Sequence, residues 1–331
     1  MSQTNSKNRI HDLLADPPWD EDLLRRYYFQ NFRETREFVQ IRHPGASVYS
    51  SLESIRFSLD VFLNAVTDLI SSINRFKGES ARPGFWNRPY RQFVEELEIA
   101  IQRGIASSAM CAMALVDHTR EFSKSHTIPD YDSQIKHYFS ERKEHRFIHS
   151  LRRYITHIKL TKANWVVTHS NEGRNVFFLF SQRELFQWDD WNSLGREYIH
   201  EHPEGINVEE LFEHYSSTVI EFHNWLRSAV MDSYGTQISD YLKYQRLMKR
   251  FESQSYWNLL LKQVFIPKKL DPYIYLDRYL TKQELESVLC LPHRSKEQVA
   301  RIIELVDEYG ACTEEIRNSI YIFFNVIDYT T

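Results

Sequence analysis

The stretch that indicates the fold most clearly is VYSSLESIRFSLDVFLNAVTDLISSINRF, residues 48–76. Its apolar residues recur at intervals of three and four, which is the spacing that lines one face of an α-helix. They are Leu52, Ile55, Leu59, Phe62, Leu63, Val66, Leu69, Ile70 and Ile73. Because the stretch also contains no proline, it predicts one long helix that buries one side.

Helical spacing continues along most of the chain, over the ranges 91–122, 131–140, 143–158, 182–198, 208–231, 238–264, 282–289 and 296–309. In the first of these, the run ASSAMCAMA at 106–114 is rich in small residues. Small side chains allow another helix to approach closely. The pattern therefore predicts a bundle of packed helices.

One segment departs from this periodicity. Trp165 to Val167 and Val176 to Phe180 are rich in aromatic and β-branched residues, and they flank the turn-forming SNEG at 170–173. This pattern is typical of a β-hairpin. The sequence thus predicts an all-α fold, a helical bundle with one small β-hairpin insertion near 164–181.

The predicted domain boundaries follow from these patterns. The bundle is expected at 46–233, after a peripheral N-terminal arm at 1–45. Residues 234–331 form a C-terminal helical region, which is either a second unit or an extension of the bundle.

Composition limits the classes of function. The 331 residues carry 41 Lys and Arg against 45 Asp and Glu, a formal charge of −4. This balance excludes a generally polybasic nucleic-acid coat, but it leaves room for a local positive face. Cys111, Cys290 and Cys312 lie far apart, so neither a disulfide framework nor a cysteine zinc site is supported.

The sequence also indicates a cytoplasmic protein with no membrane partner. No uninterrupted apolar stretch approaches the roughly 18 residues that cross a bilayer. The beginning, MSQTNSKNRIHDLL, lacks the apolar core of a secretory signal. The motifs GxxxxGK[ST], GxGxxG, HExxH and GxSxG do not occur, so we predict no cofactor and no activity built on those motifs.

The range 141–162 stands out for its charge. It holds seven basic residues against two acidic ones, a local charge of +5, which suits a phosphate backbone. The basic residues are Arg142, Lys143, Arg146, Arg152, Arg153, Lys159 and Lys162.

Within this range, HSLRRYITH at 149–157 places Arg152 and His157 near the end of an amphipathic helix. The predicted hairpin follows, then ELFQWDDW at 184–191 and HYSSTVIEFHNWL at 214–226. This order resembles the HEPN family, the higher eukaryotes and prokaryotes nucleotide-binding domains. Many uncharacterised bacterial members carry a similar LRNYIxH-like motif, and the resemblance covers about residues 48–231.

The resemblance implies an all-α domain that forms a homodimer, so that two Arg and His pairs meet at one cleft. Active members cut RNA there without a metal. Arg152 and His157 are the implied catalytic residues, with Arg153, His149, Arg146 and Lys159 as supporting RNA-binding residues. The family also implies a toxin or defence role and a neutralising protein partner.

The chemistry of both side chains suits this role. A histidine exchanges protons near neutral pH, and an arginine fork binds phosphate. Five helical steps separate Arg152 from His157 by about 140° around the axis, which favours a site shared across a twofold interface or a helix that ends at His157.

One position departs from the family. Active members usually carry Asn, Asp or His directly after the arginine, whereas this chain has Arg153, which could rearrange the cleft or pair with His157. The alternative is a noncatalytic scaffold that binds RNA, a nucleotide or a protein, with Arg152 and His157 in structural roles.

A third hypothesis is a metal-binding helical enzyme. The four-residue spacing of His137, Glu141, His145 and His149 could present metal ligands from one side of a helix. Other residues favour structural roles. Trp188, Trp191, Tyr215 and Trp225 could stack bases, but their spacing is typical of a core, and His214 and His223 have no evident carboxylate or cysteine partner.

Overall fold

The computed structural model describes residues 17–159, 163–170 and 173–327. Its α-helices are α1 (Glu21–Gln30), α2 (Phe32–Arg42), α3 (Pro44–Ser80), α4 (Arg91–Ser125), α5 (Tyr131–Ile135), α6 (Lys143–His157), α7 (Gln182–Leu185), α8 (Ser193–His200), α9 (Val208–Leu259), α10 (Lys282–Leu289), α11 (Lys296–Val306) and α12 (Glu314–Phe323). Two π-helical segments cover Lys136–Ser140 and Leu260–Phe265, and two 3₁₀ segments cover Arg88–Tyr90 and Pro272–Arg278. The strands are β1 (Asn164–Ser170), β2 (Gly173–Phe180) and β3 (Ile206–Asn207).

The predicted all-α fold with a small β insertion is confirmed. The chain divides into two compact units, of which the larger covers Val48–Gly235, nearly the residues predicted for the bundle. The smaller unit combines the residues before 48 with those from Thr236 onward. The segment predicted as an N-terminal arm thus belongs to the same unit as the C-terminal region, and its first 16 residues lie outside the described part.

In the larger unit, α3 and α4 pack closely. Gly104 of α4 lies so near Leu69 of α3 that an added Cβ atom would sit 3.0 Å from the Cα atom of Leu69. Ala109 and Ala112 are buried on the same stretch of α4. The close approach of a second helix is therefore present at Gly104, just before the run of small residues at 106–114.

Aromatic residues pack against α6, and the helix predicted over 182–198 is interrupted where they do so. Trp191 stacks on Phe147 of α6 with ring centroids 5.3 Å apart. Asn192 then caps α8 by accepting from the backbone N–H of Gly195 at 2.8 Å, while its side-chain amide donates to the carbonyl of Arg146 at 2.7 Å. The prediction of one helix over 182–198 is wrong, because these contacts require a turn between α7 and α8.

The three strands form one antiparallel sheet in the order β1-β2-β3. Val166 pairs with Phe177 in the hairpin, and Ile206 of β3 pairs with Phe180. The predicted hairpin is confirmed, although turn residues 171 and 172 lie outside the described part. The short β3 was not predicted, since two residues carry no readable periodicity.

Helix α9 is longer than the sequence suggested. The two helices predicted at 208–231 and 238–264 are one continuous α-helix of 52 residues, which passes through Gly235 and ends in the π-helical segment. A glycine in a helix interior costs only about 1 kcal/mol relative to alanine, so it weakens the helix without ending it.

The smaller unit has two groups of contacts. Trp19 packs on Tyr244 of α9 with ring centroids 5.0 Å apart, and His43 Nε2 lies 3.1 Å from Asp240 Oδ2. A separate apolar core is formed by Leu261, Leu276, Leu280, Val288, Val299, Ile302, Ile303, Ile316, Ile320 and Phe324. Helices α1, α2 and α12 were not predicted.

In the described residues, the segment Arg88–Ser125 is long and apolar enough, by length and composition, to cross a membrane. Half of its most apolar window is buried inside the fold, as in the core helix of a soluble protein.

Candidate functional site

The implied catalytic residues lie at the C-terminal end of α6. Arg152 is half-buried and His157 is exposed. Within the described residues, neither side chain has a hydrogen bond or an ion pair. Their surroundings therefore differ from the saturated, buried network that a purely structural role would require.

Helix α6 stays regular up to His157. The backbone N–H of Ile158 still donates to the carbonyl of Tyr154 at 2.9 Å. Arg152 and His157 are therefore about 140° apart around the axis. One copy of the chain does not bring the two side chains together on a single phosphate.

Arg153 does not contact His157. Its guanidinium carbon lies 5.9 Å from the ring centroid of Trp188, within the range of a cation–π contact. Trp188 in turn packs against Tyr154 of α6 and against Trp191. The aromatic cluster therefore holds Arg153 away from the histidine.

The supporting basic residues have different partners. Lys159 Nζ lies 3.4 Å from Gln187 Oε1, a long contact on the exposed surface. Near the start of the basic range 141–162, Lys143 pairs with Glu197 at 3.1 Å and with Glu201. Lys162 lies outside the described residues. Within the described residues, Lys143 at the start of α6 is thus compensated by carboxylates, whereas Arg152 and Arg153 in the later turns have no ion pair.

Arg146 and His149 lie further back along the helix. Arg146 Nε donates to the carbonyl of Ser140 at 3.0 Å. The pKa of His149 is lowered by burial and, more weakly, by four nearby guanidinium groups. These belong to Arg146, Arg153, Arg152 and Arg120.

Arg146 and His149 also line a cavity of 320 Å³ in the larger unit, enclosed by α4, α5, the first π-helical segment, α6 and α9. His145 and His223 line the same cavity and are buried. Burial lowers the pKa of His145 to about 3 and that of His223 to about 4, so both imidazoles are neutral near pH 7. His145 Nδ1 lies 3.0 Å from the hydroxyl of Tyr215.

The metal ladder considered as a third hypothesis does not form in the described residues. His137 lies in the π-helical segment and Glu141 follows it, before α6 begins, so these two do not share a helix face with His145 and His149. Glu141 instead pairs with Lys136 at 3.2 Å. Within the described residues, no group of three His, Cys, Asp or Glu side chains could hold a metal ion.

The structure adds one pair that the sequence did not suggest. His214 Nδ1 lies 2.9 Å from Glu144 Oε2, although 70 residues separate them along the chain. Burial raises the pKa of Glu144, and the nearby His214 opposes that shift. No local spacing could have revealed this contact, because it joins α6 to α9.

The aromatic residues considered for base stacking divide into two groups. Trp191 and Tyr215 are core residues, with 5% and 1% of their surface exposed. Trp188 and Trp225 are half-buried, and Trp188 packs in the cluster next to Arg153.

Comparison with models of known protein families, with curated proteins and with solved structures gives no match. The resemblance to the HEPN family therefore depends on the motif at 151–157 and on the elements that follow it in the sequence.

Proposed function

We propose that this chain is a HEPN-like, metal-independent endoribonuclease that acts as a homodimer, with Arg152 and His157 as its catalytic residues. The observation that supports the proposal most strongly is the arrangement at the end of α6: within the described residues, both side chains lack partners, and His157 is exposed. Free guanidinium and imidazole groups are available to a phosphate. We further propose a cytoplasmic toxin or defence role, controlled by a neutralising protein.

The chemistry follows from the two groups. Neutral His157 takes the proton of a ribose 2′-hydroxyl, and the resulting oxygen attacks the adjacent phosphorus. Arg152 stabilises the negative charge that builds up on the phosphoryl oxygens. His157 of the second copy in the proposed dimer gives a proton to the departing 5′-oxygen, which leaves a 2′,3′-cyclic phosphate and a 5′-hydroxyl. Each proton transfer of this kind is worth about 10²- to 10⁴-fold in rate.

The dimer supplies what one copy lacks. Because Arg152 and His157 are about 140° apart on one helix, the arginine of one copy is proposed to work with the histidine of the other. The uncompensated charge of the later turns of α6 would then line a cleft between the two helices and bind the RNA backbone.

The test uses purified protein, mixed RNA and an excess of chelator. Wild-type protein should cut the RNA, and His157→Ala and Arg152→Ala should each lower the rate at least 10²-fold. His137→Ala is the matched control, since it removes another exposed histidine from the preceding π-helical segment and should keep full activity. Equal RNA loss in wild type and His157→Ala would reject cleavage by this site.

A noncatalytic RNA-binding protein is the second candidate, and the position of Arg153 over Trp188 favours it. A stacked cation directly after Arg152 can hold RNA without taking part in proton transfer. In that case Arg152→Gln and Arg153→Gln weaken salt-dependent RNA binding, while wild type and His157→Ala both leave the RNA intact.

A further inference from the structure

The cavity beside α6 has one aromatic wall. Phe139 and Phe222 meet edge to face with ring centroids 5.0 Å apart, and Tyr131 lies 6.3 Å from Phe222. All three residues line the cavity. A wall of this kind accepts a planar, apolar body.

A second part of the cavity lining is positively charged. Arg120 and Arg146 both line the cavity, and Asp132 is the only carboxylate among the described lining residues. Arg146 uses its Nε atom on a backbone carbonyl, while a terminal nitrogen of Arg120 binds Asp117 at 3.0 Å. The remaining guanidinium nitrogens provide donors for a carboxylate or phosphate group.

The lining also contains a histidine, His223, whose ring can bind a polar group in the cavity. His223 is 8% exposed, and within the described residues its ring nitrogens make no hydrogen bond. A bound molecule that reaches the ring can therefore form a hydrogen bond with it. Burial holds the pKa of His223 at about 4, and its neutral ring offers one donor and one acceptor.

We propose that this cavity binds a small organic anion with an aromatic body, whose ring packs on Phe139 and Phe222 and whose charged group is held by Arg120 and Arg146. His223 hydrogen-bonds a polar atom of the same molecule. Arg152 and His157 do not line the cavity, whereas Arg146 and His149, two of the supporting RNA-binding residues, do.

The full-length protein is titrated with 1-naphthyl phosphate, and binding is followed by calorimetry. Two matched probes measure how much the ring and the charged group each contribute to affinity. 1-Naphthol lacks the charge, and inorganic phosphate lacks the ring. We expect saturable one-to-one binding of the ester, at least 10-fold tighter than binding of either probe. If either probe binds as tightly as the ester, the proposal is rejected.

Variants locate the bound molecule. Arg120→Gln and Arg146→Gln should each weaken binding of 1-naphthyl phosphate at least 10-fold, and Val116→Phe should block it by filling the cavity. Arg103→Gln is the control for the loss of a positive charge. Arg103 lies on α4, like Arg120, but it lines a different surface groove, so this variant should bind 1-naphthyl phosphate as wild type does. Unchanged affinity in Arg120→Gln and Val116→Phe would overturn the assignment.

Arg120 is an exposed residue, so Arg120→Gln tests the site without disturbing the core. A thermal melt of each variant confirms that the protein remains folded. His157→Ala serves as a further control: it should bind 1-naphthyl phosphate as wild type does, whatever its effect on RNA, so the two proposals fail separately.

Discussion

The two buried histidines, His145 and His223, make stability dependent on pH. Burial lowers their pKa values from 6.5 to about 3 and about 4. As the pH falls below 6.5, the unfolded chain takes up protons that the folded chain refuses. Stability is therefore fully present above pH 6.5 and is lost as the pH falls toward the folded pKa values, by at most about 1.4 kcal/mol per pH unit for each histidine.

His223→Gln tests this effect, because glutamine keeps a polar side chain without the titration. Urea unfolding at pH 7 and at pH 4.5 should show a smaller loss of stability in the variant than in wild type, by at most about 1.4 kcal/mol for each pH unit below 6.5. The same loss in both proteins would show that His223 does not contribute.

The contact of Tyr244 with Trp19 gives a second prediction about single residues. The backbone N–H of Trp19 donates to the hydroxyl of Tyr244 at 2.6 Å, and both residues are buried. Tyr244→Phe leaves this N–H without a partner, so we expect a loss of about 1–3 kcal/mol in the free energy of unfolding. Tyr256→Phe is the control: Tyr256 is 58% exposed, and its change should stay within about 0.5 kcal/mol. Equal changes in the two variants, measured by urea unfolding, would contradict the argument.

Single residues also show where sequence reasoning stops. The motif at 151–157 located Arg152 and His157 on an amphipathic helix, and that helix is present. The contact of Arg153 with Trp188 depends on a residue 35 positions away, which approaches α6 only in the folded chain. The spacing of apolar residues shows on which face of a helix a residue lies. It does not show which distant side chain contacts that residue in the folded chain.

Among the helices, the close approach of α3 and α4 gives a third prediction. A Cβ atom at Gly104 would lie 3.0 Å from the Cα and Cβ atoms of Leu69, so Gly104→Ala should cost about 1–3 kcal/mol by overpacking. Gly235→Ala has the opposite sign, because its Cβ atom would meet only Met231 Cε at 3.5 Å. In the middle of α9 that change should add about 0.4–1 kcal/mol. Thermal unfolding of the two variants measures both signs, and stabilisation by Gly104→Ala would show that the helices can separate without cost.

Helix boundaries were predictable where the periodic pattern alone decides them. The spacing at 48–76, 91–122 and 143–158 matches α3, α4 and α6 closely. It failed at 182–198, because burial of Trp191 and capping by Asn192 outweigh local helix preference there. The periodic pattern also divided α9 into helices at 208–231 and 238–264, although no proline or cap stops the helix between them.

At the level of the whole chain, the sequence could indicate segments but not how distant segments combine. The cavity beside α6 takes its lining from positions between 112 and 223, on five elements. The residues before 48 join those after 235 in one unit, although nearly 190 positions separate them. Contacts over such separations leave no periodic signal in the sequence. For this reason, residues 1–45 were predicted to form a peripheral arm.

These contacts make a prediction for the chain without residues 1–43. Trp19 and Tyr28 pack on Tyr244 and Phe251, and His43 contacts Asp240. Hydrogen exchange should therefore quicken chiefly in the amides of 237–252, which lose these partners. The amides of 48–235 should keep their protection, because that unit has its own core, including the rings of Phe62 and Tyr215. Loss of protection spread equally over 48–235 would show instead that the larger unit needs the N-terminal helices for its own stability.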